Sequence, residues 1–575
     1  MTTAAPTLIR VCTLNDLQHE SMKVVSAENR TILVLLHNGG VYAIDNRCPH
    51  MGFPLSRGSV DDGILTCHWH HARFDVAGGC TFDPFADDVD AFPVEIRDGE
   101  VWLDPRPIAS DRRAHWLRKL DEAMEQDIRL VMAKAVIGLT TTGGANDVLQ
   151  RVALFAVRNR ARGWADGLSI LTCMANIQPV LRDADRARAL FHGVIHVARN
   201  TAGQPPSFDL APLTTTERRP EVFRAWFRNF ADSRGGSAAE RCLRTAIAQG
   251  MSPRQLADML FSACTDHLFM DTGHALDFAN KACELLDHIG WDNADAILPS
   301  LVPDIVSAER MEETSSWRHP IDLPRLIREA SAELGDATAQ GRERLAGWDG
   351  HRALAETILN AEPAESLRAI LGLVRDGAPL HALSASVAYA AALRPVHFST
   401  SNEFSDWDSV HHSFTYTNAV DQAIRRAPSL ELARGILDGA MSVYLERFLN
   451  VPSHPFPRPL GAKRTTNDLL AEFDQQGRVD ESAVVAADLI AQGEHDVLIS
   501  GLGQALLRED TGFHSFQIYE AAVRQYRNFA GRPEGDHILL GATRFLTAHA
   551  PTVRATNQTF EIAARLSRGE ALSTE

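Results

Sequence analysis

The sequence predicts two architectures in tandem, a small antiparallel all-β domain at residues 1–108 and a large all-α section at residues 112–575. Three observations carry this. Short β-branched and apolar runs, separated by Gly, Asn and Asp turns, fill the first section. After about residue 110 the pattern changes to apolar residues at i, i+3 and i+4 among Ala, Leu, Arg and Glu. At 575 residues the chain is also too long for a single core.

The β elements follow from local patterns. Residues 31–36 are apolar and β-branched, Asn38-Gly39-Gly40 is a turn, and residues 41–44 return as the second arm of a hairpin. Residues 64–66 form a short strand. Residues 92–96 and 101–103 flank Asp98-Gly99 as another hairpin. Pro105 and Pro107 close the domain.

Helices are expected over residues 240–248, 253–263, 366–374, 430–449 and 481–491. Pro, Gly and polar residues interrupt the helical rhythm at residues 200–220, 299–323 and 450–467, which read as long loops or subdomain joints. A weak internal repeat runs through this section. A helix ends at glycine, and a second apolar helix leads to histidine. The glycine-to-histidine distances are 24, 20 and 21 residues for Gly250 to His274, Gly377 to His397 and Gly493 to His514. Asp271-Thr272-Gly273-His274 and Asp510-Thr511-Gly512-Phe513-His514 are its most similar parts. Such a repeat predicts stacked helical hairpins around a shared interior.

Composition excludes several classes. A net charge of −17 argues against nucleic acid, whose binders carry a basic face. Residues 1–108 hold eight Lys and Arg against fifteen Asp and Glu, so this section carries −7. That acidity is either a solvated surface or a docking face for a basic redox partner. No apolar run reaches the ~18–20 residues of a membrane helix. The first residues do not read as a secretory leader, so the expected address is the cytoplasm. Eight scattered cysteines do not suggest a disulfide framework.

The chemistry-bearing motif is Cys48-Pro49-His50 followed by Cys67-His68-Trp69-His70, with sixteen residues between His50 and Cys67. Each arm delivers one cysteine and one histidine. A [2Fe–2S] cluster of the mixed type needs this inventory, two thiolates on one iron and two imidazoles on the other. A structural Cys2His2 zinc site is the alternative, but zinc fingers usually pair cysteine with cysteine and histidine with histidine. Gly52, Pro54 and Gly58 permit tight loops. Cys80 reads as a small buried residue.

Residues 48–58 and 67–78 resemble the two cluster-binding loops of the Rieske ferredoxin and oxygenase family. The resemblance implies a [2Fe–2S] cluster held by Cys48, His50, Cys67 and His70. High-potential Rieske proteins add a disulfide between the loops and two hydroxyl donors to the cluster. The matching disulfide positions here are Phe53 and Trp69, and the matching hydroxyl positions are Ala72 and Phe74. The resemblance is therefore to the ferredoxin and oxygenase types, with a potential at the low end of the Rieske span. One departure is His71, where the family usually has glycine. A solvated surface residue and a residue near the outer iron are both open readings.

The helical section offers candidate histidine clusters for a second metal or haem, or a small-molecule substrate, beside the alternative that each histidine is a satisfied core or boundary residue. His192 and His196 would share one helix face, as would His267, Asp271 and His274. His411 and His412 are adjacent and cannot chelate from one face. Asp271-Thr272-Gly273-His274 gives only half of the Asp-x-x-His iron motif of ring-hydroxylating oxygenases, so that architecture is not expected. No nucleotide-binding loop follows a strand, so electrons are expected to come from an external donor, a reductase or a ferredoxin. The function expected is an oxidoreductase whose Rieske domain feeds a site in the helical section. The alternative is a redox-sensing or electron-carrier protein whose helical section docks a partner.

Overall fold

The computed structural model describes residues 8–108, 111–341 and 344–570; residues 1–7, on which the leader argument partly rests, lie outside it. The chain forms two compact units, Met1–Val148 with Asn557–Glu575, and Leu149–Thr556.

The first unit holds nine strands: β1 (Ile9–Thr13), β2 (Met22–Ala27), β3 (Arg30–His37), β4 (Gly40–Asp45), β5 (Ser59–Asp61), β6 (Ile64–Thr66), β7 (Arg73–Asp75), β8 (Val94–Arg97) and β9 (Glu100–Leu103). They form three antiparallel sheets ordered β1-β9-β8, β2-β3-β4 and β5-β6-β7. Four hairpins share one turn chemistry. Glu28-Asn29, Asn38-Gly39, Asp62-Gly63 and Asp98-Gly99 each place two consecutive residues at positive φ. Such turns match the right-handed twist of the flanking strands and favour Asn, Asp and Gly.

Strand β3 explains its own apolar run. Leu33 and Leu35 face a core with Ile44, Leu55, Leu65 and Phe74. Ile32 and Val34 face a second core with Leu17, Phe92, Val101 and Leu103. A strand buried on both faces needs no polar alternation. The helices Arg112–Glu125 and Arg129–Thr141 also belong to this unit. They cross closely, because a Cβ on Gly138 would lie 2.3 Å from the Trp116 indole nitrogen. The texture change near residue 110 therefore marks where strand gives way to helix, and the compact unit continues beyond it.

The second unit is all helical among its described residues. Four of the expected helices lie within Gly236–Ala248, Pro253–Cys264, Pro363–Asp376 and Val479–Ala491, and the fifth, expected over 430–449, is α-helical over Leu430–Leu445. The helix ending at Leu445 gives way to a 3-10 turn, Glu446–Asn450. Residues 299–323 are more ordered than a plain loop, holding Val302–Ser307, Met311–Glu313 and Ser315–Arg318. Gly250, Gly377 and Gly493 all take left-handed backbone after helices, with φ of 75°, 95° and 79°. None of the described helices is long and apolar enough to cross a membrane.

Candidate functional site

Cys48 and His50 lie on the loop between β4 and β5, and Cys67 and His70 on the loop between β6 and β7. The two loops close in the same way. The Cys48 amide donates to the Phe53 carbonyl at 2.8 Å, and the Gly52 amide donates back to the Cys48 carbonyl at 2.8 Å. In the second loop the Cys67 amide donates to Ala72 at 2.8 Å, and the His71 amide to Cys67 at 2.9 Å. Each turn thus runs over the same interval from its cysteine. The fourth residue after each cysteine takes positive φ, Gly52 at 84° and His71 at 62°. This gives the glycine preference at position 71 a physical cause, since left-handed backbone costs an ordinary side chain ~1–2 kcal/mol. His71 is itself exposed.

Side chains outside the motif brace both loops. Asn46 accepts from the Ser56 amide at 2.8 Å. Asp83 accepts from the Arg73 amide and from its guanidinium, both at 2.8 Å. The Arg73 hydrogen bond holds the Asp83 carboxyl below its usual range. Phe53 and Trp69 meet across the loops with ring centroids 5.7 Å apart. An aromatic contact therefore occupies the two positions that carry the disulfide in high-potential relatives. Ala72 and Phe74 are fully buried and carry no hydroxyl.

The four motif side chains converge. Cys48 and Cys67 are buried at 2% and 1% exposure, His50 is half-buried and His70 is exposed, so the sulfurs lie deepest. The two thiols are close enough to share a hydrogen bond, which pushes Cys48 up and holds Cys67 down, to about 6. The His50 and His70 rings meet edge to face at 4.8 Å. Burial, reinforced by Lys134, lowers His50 to about 4, so its ring is neutral. Its Nδ1 is buried and has no hydrogen-bond partner. A half-buried, neutral imidazole with an orphaned, buried nitrogen beside two thiols fits a metal cluster.

Lys134 was not among the residues singled out from sequence. It is a lone lysine in the apolar helix Arg129–Thr141, and that placement was its legible signal. Its ammonium donates to the carbonyls of Pro49 and His50, the latter at 3.2 Å. Burial lowers it to about 8. Cys80 is exposed, contrary to expectation. It follows the Gly78-Gly79 turn, where its carbonyl accepts from the Asp75 amide and its side chain points outward.

In the helical unit the expected histidine pairings rearrange. His267, Asp271 and His274 do not share a helix face, because the helix Pro253–Cys264 ends before them and the next begins at His274. Phe269, Asp271 and Thr272 take left-handed backbone between the two. His267 instead meets Glu312 at 2.6 Å and Asp232 at 2.9 Å. The Glu312 hydrogen bond raises its pKa. Asp271 is exposed. His192 and His196 do share a face of Asp183–Thr201, but both are buried against Phe516. His192 Nε2 lies 3.1 Å from the Leu507 carbonyl, and His196 Nδ1 lies 2.7 Å from that of His192. His397 Nδ1 pairs with the His454 carbonyl at 3.0 Å. His274 joins His412 and His514, from three different helices.

Residues 7–93 match the family described as Rieske [2Fe-2S] domain. Over 107 residues the chain is 30% identical to the ferredoxin component of the alkene monooxygenase system of Xanthobacter autotrophicus, covering 18% of this chain and 88% of that protein. It is 33% identical over 94 residues to apoptosis-inducing factor 3 of Homo sapiens, and spans only 16% of each. Among solved structures, the ferredoxin of carbazole 1,9a-dioxygenase from Nocardioides aromaticivorans is 28% identical with a TM-score of 0.17, covering 17% of this chain and 99% of that one. The chain belongs, through its domain at residues 7–93, to the Rieske [2Fe–2S] family.

Proposed function

We propose that Cys48, His50, Cys67 and His70 hold the [2Fe–2S] cluster, the thiolates on the inner iron and the imidazoles on the outer one. We further infer that the chain is an oxidoreductase. Its Rieske domain would receive electrons from an external donor, a reductase or a ferredoxin, and supply them to a site in the helical section. When bound, such a cluster takes up and releases one electron at a time.

The observation that supports the ligand assignment is the matched closure of the two loops, with a buried cysteine and a histidine on each and the two histidine rings in edge-to-face contact. The chain's own residues then have defined tasks. Gly52 and His71 turn the loops back on their cysteines. Lys134 ties the first loop to a helix through two carbonyls. Phe53 and Trp69 cover the loops from outside. Exposed His70 is where electrons enter or leave most directly.

Chemical analysis tests the assignment. Purified protein should contain about two irons and two labile sulfides per chain. Cys48→Ala should lose both, because the inner iron is left with one thiolate. Stoichiometric zinc without sulfide would contradict the assignment.

A further inference from the structure

We propose that His274, His412 and His514 form a binding site for one divalent first-row transition-metal ion. Metal binding there stands apart from the role of the Rieske domain.

Three helices bring the residues together. His274 opens His274–Ile289, His412 lies in Phe404–Arg426, and His514 is in the first turn of Phe513–Asn528. One ring nitrogen from each lies within 4.8 Å of the others. His412 and His514 point Nε2 at Nε2, 3.1 Å apart. Two nitrogens bound to one metal at ~2.1 Å sit roughly 3.0–3.4 Å apart in octahedral or tetrahedral geometry, so this spacing is that of adjacent ligands. In the metal-free chain one of these nitrogens carries a proton for the other. A metal ion takes that proton's place, and the proton passes through solvent to the other nitrogen of the same ring, which ligates as a neutral imidazole.

The surroundings suit ligation. The Asp408 carboxylate accepts from His514 Nδ1 at 2.8 Å, which leaves Nε2 to ligate and places a negative charge behind the ring. Metal-bound histidines ordinarily have such a partner. Thr272 Oγ1 lies 3.3 Å from His274 Nδ1 and orients that ring in the same sense. Behind the site, His411 Nε2 bonds Gln517, whose amide donates to Asp277, while His411 Nδ1 is buried without a hydrogen-bond partner. The His514 side chain is 26% exposed, which gives an ion a way in.

Backbone is held in place for this arrangement. The left-handed residues Phe269, Asp271 and Thr272 directly precede His274. Backbone of this kind is sparsely populated and persists where the surroundings demand it. A Cβ on Gly273 would lie 2.7 Å from Cβ of Tyr416, one turn beyond His412. Glycine therefore lets the His274 segment approach the helix that carries His412. Three neutral donors leave coordination positions open, as in catalytic rather than closed structural sites.

The test uses the full-length chain with its cluster. After treatment with chelator and anaerobic incubation with cobalt(II), the desalted protein should retain about one cobalt per chain. X-ray absorption at the cobalt edge should show three imidazole ligands. His412→Ala and His514→Ala should bind at least tenfold more weakly, with iron content and the Rieske electron paramagnetic resonance signal unchanged. Asp408→Asn should weaken binding ~10–100-fold. The proposal is overturned if the wild type retains no cobalt, if its cobalt shows only oxygen ligands, or if folded histidine variants bind as well as the wild type.

Discussion

His71 holds left-handed backbone at the fourth position after Cys67, where Gly52 does the same after Cys48. Replacing it with glycine removes the Cβ penalty but frees the unfolded chain. The expected net gain is about 1 kcal/mol, read as a raised melting temperature. Gly52→Ala should show the reverse and cost about 1–2 kcal/mol in the same assay. His267 makes a pH-dependent contribution. Its folded pKa is raised by Glu312, so the stability it adds is present below its unfolded value and fades as pH rises through the folded one. His267→Ala should therefore lower the melting temperature more at pH 6 than at pH 9. The proposed cluster ligands were legible as candidates because Cys-x-His and Cys-x-x-His are local spacings. The grouping of His274 with His412 and His514 was not, since three helices far apart in sequence supply it. The repeated Asp-Thr-Gly was the one hint, and its structural content is that both copies deliver a histidine to a helix start.

At the scale of elements, hairpins with paired positive-φ turns were readable from Asn-Gly and Asp-Gly. Strands β5 and β7 were not, nor was the hairpin turned at Asp62-Gly63: Ser59-Val60-Asp61 and Arg73-Phe74-Asp75 each carry one apolar residue, whereas β6, of equal length, reads Ile64-Leu65-Thr66. Helix Arg129–Thr141 shows what an apolar helix can hide. Its Lys134 places a buried ammonium against the first cluster loop. Positive charge there favours the reduced, more negative cluster. Lys134→Met should lower the midpoint potential by on the order of 50 mV in voltammetry. The wild type itself should lie near or below zero, towards the ~−150 mV end of the Rieske range, because Ala72 and Phe74 donate no hydroxyl hydrogen bonds. A midpoint well into the positive range would show that other donors dominate.

At the scale of the whole molecule, the change from strand to helix near residue 110 was plain in the sequence. The return of Asn557–Glu575 to the first unit was not, because no local pattern encodes so distant a pairing. The acidity of residues 1–108 is partly neutralised within that section. Asp83, Asp90 and Asp104 pair with Arg73, Arg30 and Arg106 at 2.8, 2.8 and 2.6 Å. Exposed Asp61 and Asp62 lie on the β5–β6 hairpin. The central claim is that one thiolate and one imidazole from each loop share a single cluster. Pulsed electron paramagnetic resonance of the reduced full-length chain tests this most directly. The account predicts couplings from two coordinated histidine nitrogens, one of them lost in His70→Cys. A reduced signal without nitrogen coupling would contradict it.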